Sequence, residues 1–370
     1  MTHVPRYFSD FLTDIRPDDD QLGEYQEGHK TLRERLHEDA EISKILVSDF
    51  LQGSYRRWTA IRPEGGQKSD VDIVAVTTIP DGSDTGEVRA KFERFLNRYD
   101  DYRGNLERKT HSIGIALDKV ELDLVVTSAP SQVVQDALAK EARRTSEVIT
   151  KSVATSPLEL GSPTDLWGFR DASTGEWKTE PLRIPNFDDG SWGATDPLTQ
   201  IAWTTQHNAD CGGHYVNVVK ALKWWRRTKC PKPKHPKGYP VEHVIGDYCP
   251  SGISSVAEGV VKTLERIRDC PILALHLTLG TTPFLPDRGI REHNVWKRIA
   301  FADFSTFMTQ VTDAATIARE AFDLEDTDSS VLRWYDLFSD PFHKPEDDGG
   351  NKGDFTPRKS RTDITPARFG

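Results

Sequence analysis

Cysteine is scarce in this chain, basic residues are outnumbered, and long apolar runs are missing. The four cysteines, Cys211, Cys230, Cys249 and Cys270, stand far apart without a C-x-x-C pair, which predicts free thiols rather than a disulfide framework. No segment approaches the roughly 18 to 20 apolar residues of a membrane-spanning helix. Residues Met1 to Arg6 lack the apolar stretch of a secretory signal. Together these absences predict a cytoplasmic protein in a reducing compartment. Lysine and arginine number 48 against 58 aspartates and glutamates, a net charge of −10. Stable binding to a nucleic-acid backbone is therefore not expected, although a local basic groove is compatible with that balance.

What is present is a soluble composition, 36% hydrophobic and 29% charged, in a chain of 370 residues, long enough for two modest domains. Leu22, Tyr25, His29, Leu32 and Leu36 recur at three- and four-residue steps and predict an amphipathic helix after Asp18–Asp20. Ile45–Leu51, Asp70–Thr77 and Ile113–Thr127 are rich in Val, Ile and Leu and predict strands. Helical spacing lies between them at Glu87–Tyr99 and after them at Ser131–Thr150, so this half reads as mixed α/β. Gly161–Thr195 reads as a long loop, and later segments such as His214–Arg227 are helical. The expected division is a core over 1–190 that includes the N-terminal helix, a helical domain over 191–340, and a flexible charged tail over 341–370.

The chemistry is carried by acids on strands. Asp70 and Asp72 alternate in Ser69–Val76, so they share one face while Val71 and Ile73 take the other. Like charges that close are unfavourable unless a cation neutralises them. A third acid, Asp123, sits in the apolar run Val120–Val126. Upstream, Gly53-Ser54 falls at a strand-to-helix junction, where a glycine backbone can approach a phosphate closely and the serine adds a hydroxyl. Each feature alone has an ordinary reading: a turn, a solvated strand edge, a buried ion pair. Jointly they describe a phosphate cradle beside three hard-ion ligands, suited to two Mg²⁺ ions roughly 3.5 to 4 Å apart in phosphoryl displacement.

The stretches Leu51–Pro63, Ser69–Val74 and Val120–Leu124 resemble the polymerase-β-like nucleotidyltransferases. Within these they are similar to the bacterial cGAS/DncV-like enzymes, the CD-NTases, and most to their clade D. Val219–Arg226 and Lys237–Ile245 resemble the helical domain shared with oligoadenylate synthases. The resemblance implies an α+β fold: a polymerase-β-like core of mixed sheet and helices plus a C-terminal helical domain. It implies Asp70, Asp72 and Asp123 as catalytic metal ligands for two Mg²⁺ ions, and Gln52, Gly53 and Ser54 as nucleotide contacts. Lys223 would reach the triphosphate. Tyr239 would stack on a base, although Gly-Tyr-Pro is also compatible with a core anchor.

The implied function is a cyclic-oligonucleotide synthase of antiphage (CBASS) signalling, joining NTPs, with ATP favoured, into a cyclic trinucleotide such as cyclic tri-AMP. A cyclic dinucleotide or linear oligoadenylate synthase is the alternative, and a non-catalytic nucleotide-binding protein is the alternative of another class. The implied partners are a product-sensing effector nuclease and an E1–E2-type enzyme that would conjugate the chain through Gly370. Among the remaining motifs, His207, Cys211 and His214 with Cys230 and His235 fit no standard zinc finger, so ordinary buried cysteines and surface histidines are expected. Trp224-Trp225 reads as helix packing.

Overall fold

Alternating apolar residues in Ser69–Val76 and Val120–Val126 have two faces to satisfy, and the fold covers both. In the computed structural model, residues 4–63, 65–118, 120–128 and 181–345 are described, with the backbone of 169–170 and 177–178. The expected helix at 131–150 and most of the tail fall outside them. β1 (Leu46–Gln52), β2 (Ser69–Thr77), β3 (Leu106–Arg108), β4 (Ile113–Ala116) and β5 (Val120–Ser128) form a mixed sheet in the order β1-β2-β5-β4-β3. β2 and β5 are parallel and the other pairs antiparallel. The single strand expected over Ile113–Thr127 is a hairpin, broken after Ala116 so that β4 folds back on β5.

One face of the sheet carries Val71, Ile73, Ala75, Leu122, Leu124 and Val126. It packs on Tyr25, Leu32 and Leu36 of α2 (Asp19–Glu38) and on Val88, Phe92 and Phe95 of α4 (Thr85–Leu96). α2 starts where the sequence places it, because Asp18 and Gln21 close a capping box. The opposite face continues the aspartate side of β2 with Val74, Val76 and Val125. β6 (Phe169–Arg170) and β7 (Trp177–Lys178) pair with each other, and β8 (Leu182–Pro185) and β9 (Trp192–Thr195) form a hairpin that joins β5 through Ser128. Part of the expected loop is therefore strand, in short elements that leave little alternation to read.

The helical lobe begins with α5 (Pro197–Asp210), capped by Asp196, and continues through α6 (Tyr215–Thr228), α7 (Tyr239–Tyr248), α8 (Val256–Arg268), α9 (Pro271–Leu279), α10 (Phe301–Asp323) and α11 (Thr327–Phe338). Trp224 and Trp225 are buried in its core, as packing residues. The N-terminal helix α1 (Pro5–Asp14) packs here as well: Phe8 and Phe11 lie against Trp334, Phe338 and Phe342. The N-terminus thus reaches both lobes: α2, the helix the sequence announces, lies on the sheet, and α1, which the sequence reading did not single out, lies on the helical lobe.

Candidate active site

The parallel register of β2 and β5 sets Asp72 opposite Asp123 and Asp70 opposite Glu121, so four carboxylates share one face of two neighbouring strands. Burial pushes Asp72 up to about 6, helped by the charges of Asp123 and Asp70. Asp70 is raised by burial and by Glu121, and Asp123 by burial against the opposing pull of Lys109. All three expected ligands thus stand where extra positive charge would stabilise them.

One cation is already there. Lys109, in the turn between β3 and β4, places Nζ 2.5 Å from Glu121 Oε1 and 3.0 Å from Asp123 Oδ1. Its hydrogen bond goes to Asp123 Oδ2 at 3.2 Å, and the buried Oδ1 accepts none despite the short ion contact. These carboxylates are the hard oxygen donors a divalent cation takes, and Asp123 Oδ1 accepts no hydrogen bond, but no three of them bring ligand atoms within 4.8 Å of one another, so they would have to close in around an ion. Lys109 touches Asp123 and Glu121 directly; its charge also pulls Asp70 and Asp72 down, but burial and the neighbouring acids outweigh it there.

Gly53 fixes the other wall. It opens α3 (Gly53–Arg56) at φ 74°, and a Cβ added there would lie 1.9 Å from Asp72 Oδ2. Gln52, the last residue of β1, is the antiparallel partner of Asp72. The Gly53→Ala variant therefore meets both a left-handed backbone and a carboxylate that must move. Its synthesis is expected to fall on the order of a hundredfold, with backbone strain of roughly 1–3 kcal/mol lowering Tm. Wild-type turnover in that variant would remove the close approach from the argument.

Of the expected nucleotide contacts, Ser54, Lys223 and Tyr239 line two cavities, whereas Gln52 and Gly53 line neither. Ser54 and Lys223 line a small one of about 140 Å³ with Asp70, Lys68 and Arg227. Lys223 donates to Thr59 O at 2.8 Å and Arg227 to Arg62 O at 2.7 Å, so both cations hold the segment after α3 in place. Burial, followed by the neighbouring charges of Arg57 and Arg227, pushes Lys223 down to about 8 although Glu242 opposes it. Tyr239 lines a larger cavity of about 410 Å³ with Lys237, Gln200, Asp287, His293 and Arg298. Its hydroxyl donates to Asp287 Oδ2 at 3.0 Å, and Arg57 lies over its ring at 5.2 Å. The tyrosine is thus a wall of the cavity, oriented by polar partners. Lys237 and Asp70 interact electrostatically, which links this cavity to the acids.

Sequence reasoning missed Glu121, Lys109, Arg57 and Glu242. Glu121 repeats the alternation of Asp70 and Asp72, two residues before Asp123, and that signal was available. Arg57 Nε meets Glu242 Oε1 at 2.6 Å across the lobes, a contact between residues 185 apart that no local pattern announces. Gly370 lies outside the described residues. No helix among the described residues is long and apolar enough to cross a membrane.

Comparisons with known proteins bear on this arrangement. The profile of the Second Messenger Oligonucleotide or Dinucleotide Synthetase domain matches residues 1–130. A protein of Salmonella paratyphi B named "Probable cyclic AMP-AMP-GMP nucleotide synthase" is 39% identical over 94% of both chains. The "Cyclic AMP-AMP-GMP synthase" of Enterobacter hormaechei is 38% identical over 98% of both. A "Cyclic AMP-AMP-AMP synthase" of an Acinetobacter species is 28% identical over 90% of this chain and 84% of its own length. Among solved structures, the CD-NTase CdnG of Bradyrhizobium diazoefficiens in complex with GTP superimposes with a TM-score of 0.64 at 11% identity, covering 91% of this chain and 95% of that one. That likeness establishes the α+β fold with its helical second lobe.

Proposed function

The chain belongs to the bacterial CD-NTases, the cGAS/DncV-like nucleotidyltransferases, and from that premise we propose that it joins ATP and GTP into a cyclic trinucleotide. The observation that carries the reading is the facing pair Asp72 and Asp123 on parallel strands, with Asp70 beside them and the Gly53 backbone against Asp72. The relatives at 38–39% identity are named as a cyclic AMP-AMP-GMP synthase and a probable one, and the relative at 28% as a cyclic AMP-AMP-AMP synthase. The balance therefore favours two adenylates and one guanylate over the tri-AMP expected from the sequence.

In this reading Asp70, Asp72 and Asp123 would hold divalent ions, two Mg²⁺ by the chemistry of the reaction. Such ions would favour deprotonation of the attacking ribose hydroxyl and neutralise the leaving pyrophosphate. Lys109 orients Asp123. The Gly53 amide, the Ser54 hydroxyl and Gln52 contact the triphosphate, with Lys223 and Arg227 closing the far wall. Tyr239 stacks on a base, worth on the order of 1 to 3 kcal/mol. The enzyme would act in the cytoplasm in antiphage signalling, its product read by a separate effector nuclease.

The test incubates purified protein with all four NTPs and Mg²⁺, then with phosphatase. A phosphatase-resistant product whose mass corresponds to two adenylates and one guanylate is expected. A resistant product of adenylate alone would move the assignment to cyclic tri-AMP, and a resistant two-nucleotide product to a dinucleotide cyclase. Products that lose terminal phosphates would make this a linear polymerase, and no product at all would leave a nucleotide-binding protein.

A further inference from the structure

The helical lobe gathers three soft donors that the proposed reaction does not use. His207 lies in the last turn of α5 and Cys211 is its C-cap; Cys249 is the C-cap of α7. One ligand atom from each falls within 4.8 Å of the other two, and they form the one His/Cys/Asp/Glu trio with that spacing among the described residues. Only part of the set weighed in the sequence is involved: the third donor is Cys249, not His214, and Cys230 and His235 do not join.

We infer that His207, Cys211 and Cys249 bind a zinc ion that staples the end of α5 to the end of α7. In a tetrahedral zinc site, Zn–S of about 2.3 Å and Zn–N of about 2.0 Å put neighbouring donors about 3.5 to 3.8 Å apart. His207 Nε2 is already 3.7 Å from Cys211 Sγ. The third donor needs a shift of an ångström or less to complete the set. The cysteines are buried, at 0% and 3% exposure, so both sulfurs are shielded from bulk solvent. The imidazole is held in orientation by packing, stacked on Trp203 at 4.6 Å and edge-on to Tyr215 at 4.7 Å. His207 is half-buried, which leaves the fourth position open to a water.

The charge balance suits burial: on binding, each thiol loses its proton to solvent, and two thiolates neutralise one Zn²⁺ while the imidazole binds neutral. The consequence for the enzyme is positional. α7 carries Tyr239 in its first turn, so anchoring its far end limits how this helix can tilt over the larger cavity.

The full-length protein, purified without chelator, is expected to contain about one zinc per chain by elemental mass spectrometry. Cys211→Ser/Cys249→Ser and His207→Ala should each reduce that content at least about tenfold. Cobalt exchanged into the wild-type protein should give thiolate-to-metal charge-transfer bands that the double variant lacks. Zinc added back to chelator-stripped wild type should raise Tm by several degrees and leave the double variant unmoved. Because the wild-type zinc content needs no variant, a folding defect in the mutants cannot mask the answer. Wild-type protein in which Cys211 and Cys249 titrate as free thiols along with Cys230 and Cys270 and no metal is found would overturn the inference, as would a Cys211–Cys249 disulfide found by peptide mapping.

Discussion

Replacing Asp70 and Asp72 together with asparagine is expected to lower cyclic-product synthesis at least about a thousandfold, the several kcal/mol that metal-ion catalysis supplies. The same variant should be more stable than wild type when no divalent ion is present. Asp72 is held at about 6 by burial, Asp123 and Asp70, against an ordinary value of 3.8. A carboxyl whose folded value is raised binds more protons folded than unfolded, so its ionisation destabilises the fold as pH rises through that window. At pH 7 the cost is on the order of 2 to 3 kcal/mol for Asp72. At pH 4 it has nearly vanished. The Tm difference between variant and wild type should therefore be positive at pH 7 in chelator and shrink towards zero near pH 4. Mg²⁺ should raise Tm for wild type alone. A double variant with wild-type synthesis would remove the acids from the chemistry. Equal Tm values at pH 7 would mean the carboxylates do not strain the free enzyme.

The sequence announced the acids because strand geometry is local. Alternation in Ser69–Val76 and in Val120–Val126 fixes which face each side chain takes, and Gly53-Ser54 marks a backbone that only glycine allows against Asp72. What stayed hidden was long-range. Lys109 reaches Asp123 from a turn with no distinguishing composition. α1 crosses to the helical lobe because of aromatic partners more than 300 residues away in the chain. His207 and Cys211 look like half a metal motif until the fold supplies Cys249 from another helix. In each case the missing information is which surfaces meet, and that is settled by packing, not by periodicity.

The second large effect expected is at the lobe junction. Arg57 and Glu242 are both buried, 6% and 3% exposed, and form an ion pair between α3's C-cap and the first turn of α7. Thr59 Oγ1 donates to Glu242 Oε2 at 2.7 Å. Burial alone would raise Glu242, but Arg57, Lys223 and these hydrogen bonds outweigh it and hold the carboxyl below its usual range. Glu242→Gln leaves Arg57 and Lys223 facing each other without an anion, so a loss of about 3–5 kcal/mol is expected. Arg57→Met leaves the glutamate with the Thr59 hydroxyl and the charge of Lys223 and should cost a comparable amount. The combined Arg57→Met/Glu242→Met variant should recover much of the lost stability, because apolar side chains then replace both charges. Activity should not recover with it. Arg57 also lies over Tyr239 and lowers Asp72 through its charge, so the pair sets the base-side wall and the acids in one frame. Denaturant titrations of the four proteins give the coupling energy, expected at about 2 kcal/mol or more, and synthesis assays on the same samples separate stability from alignment. Strictly additive losses would show that the two residues do not act as a pair. Full synthesis in the stable double variant would show instead that the junction only holds the lobes together.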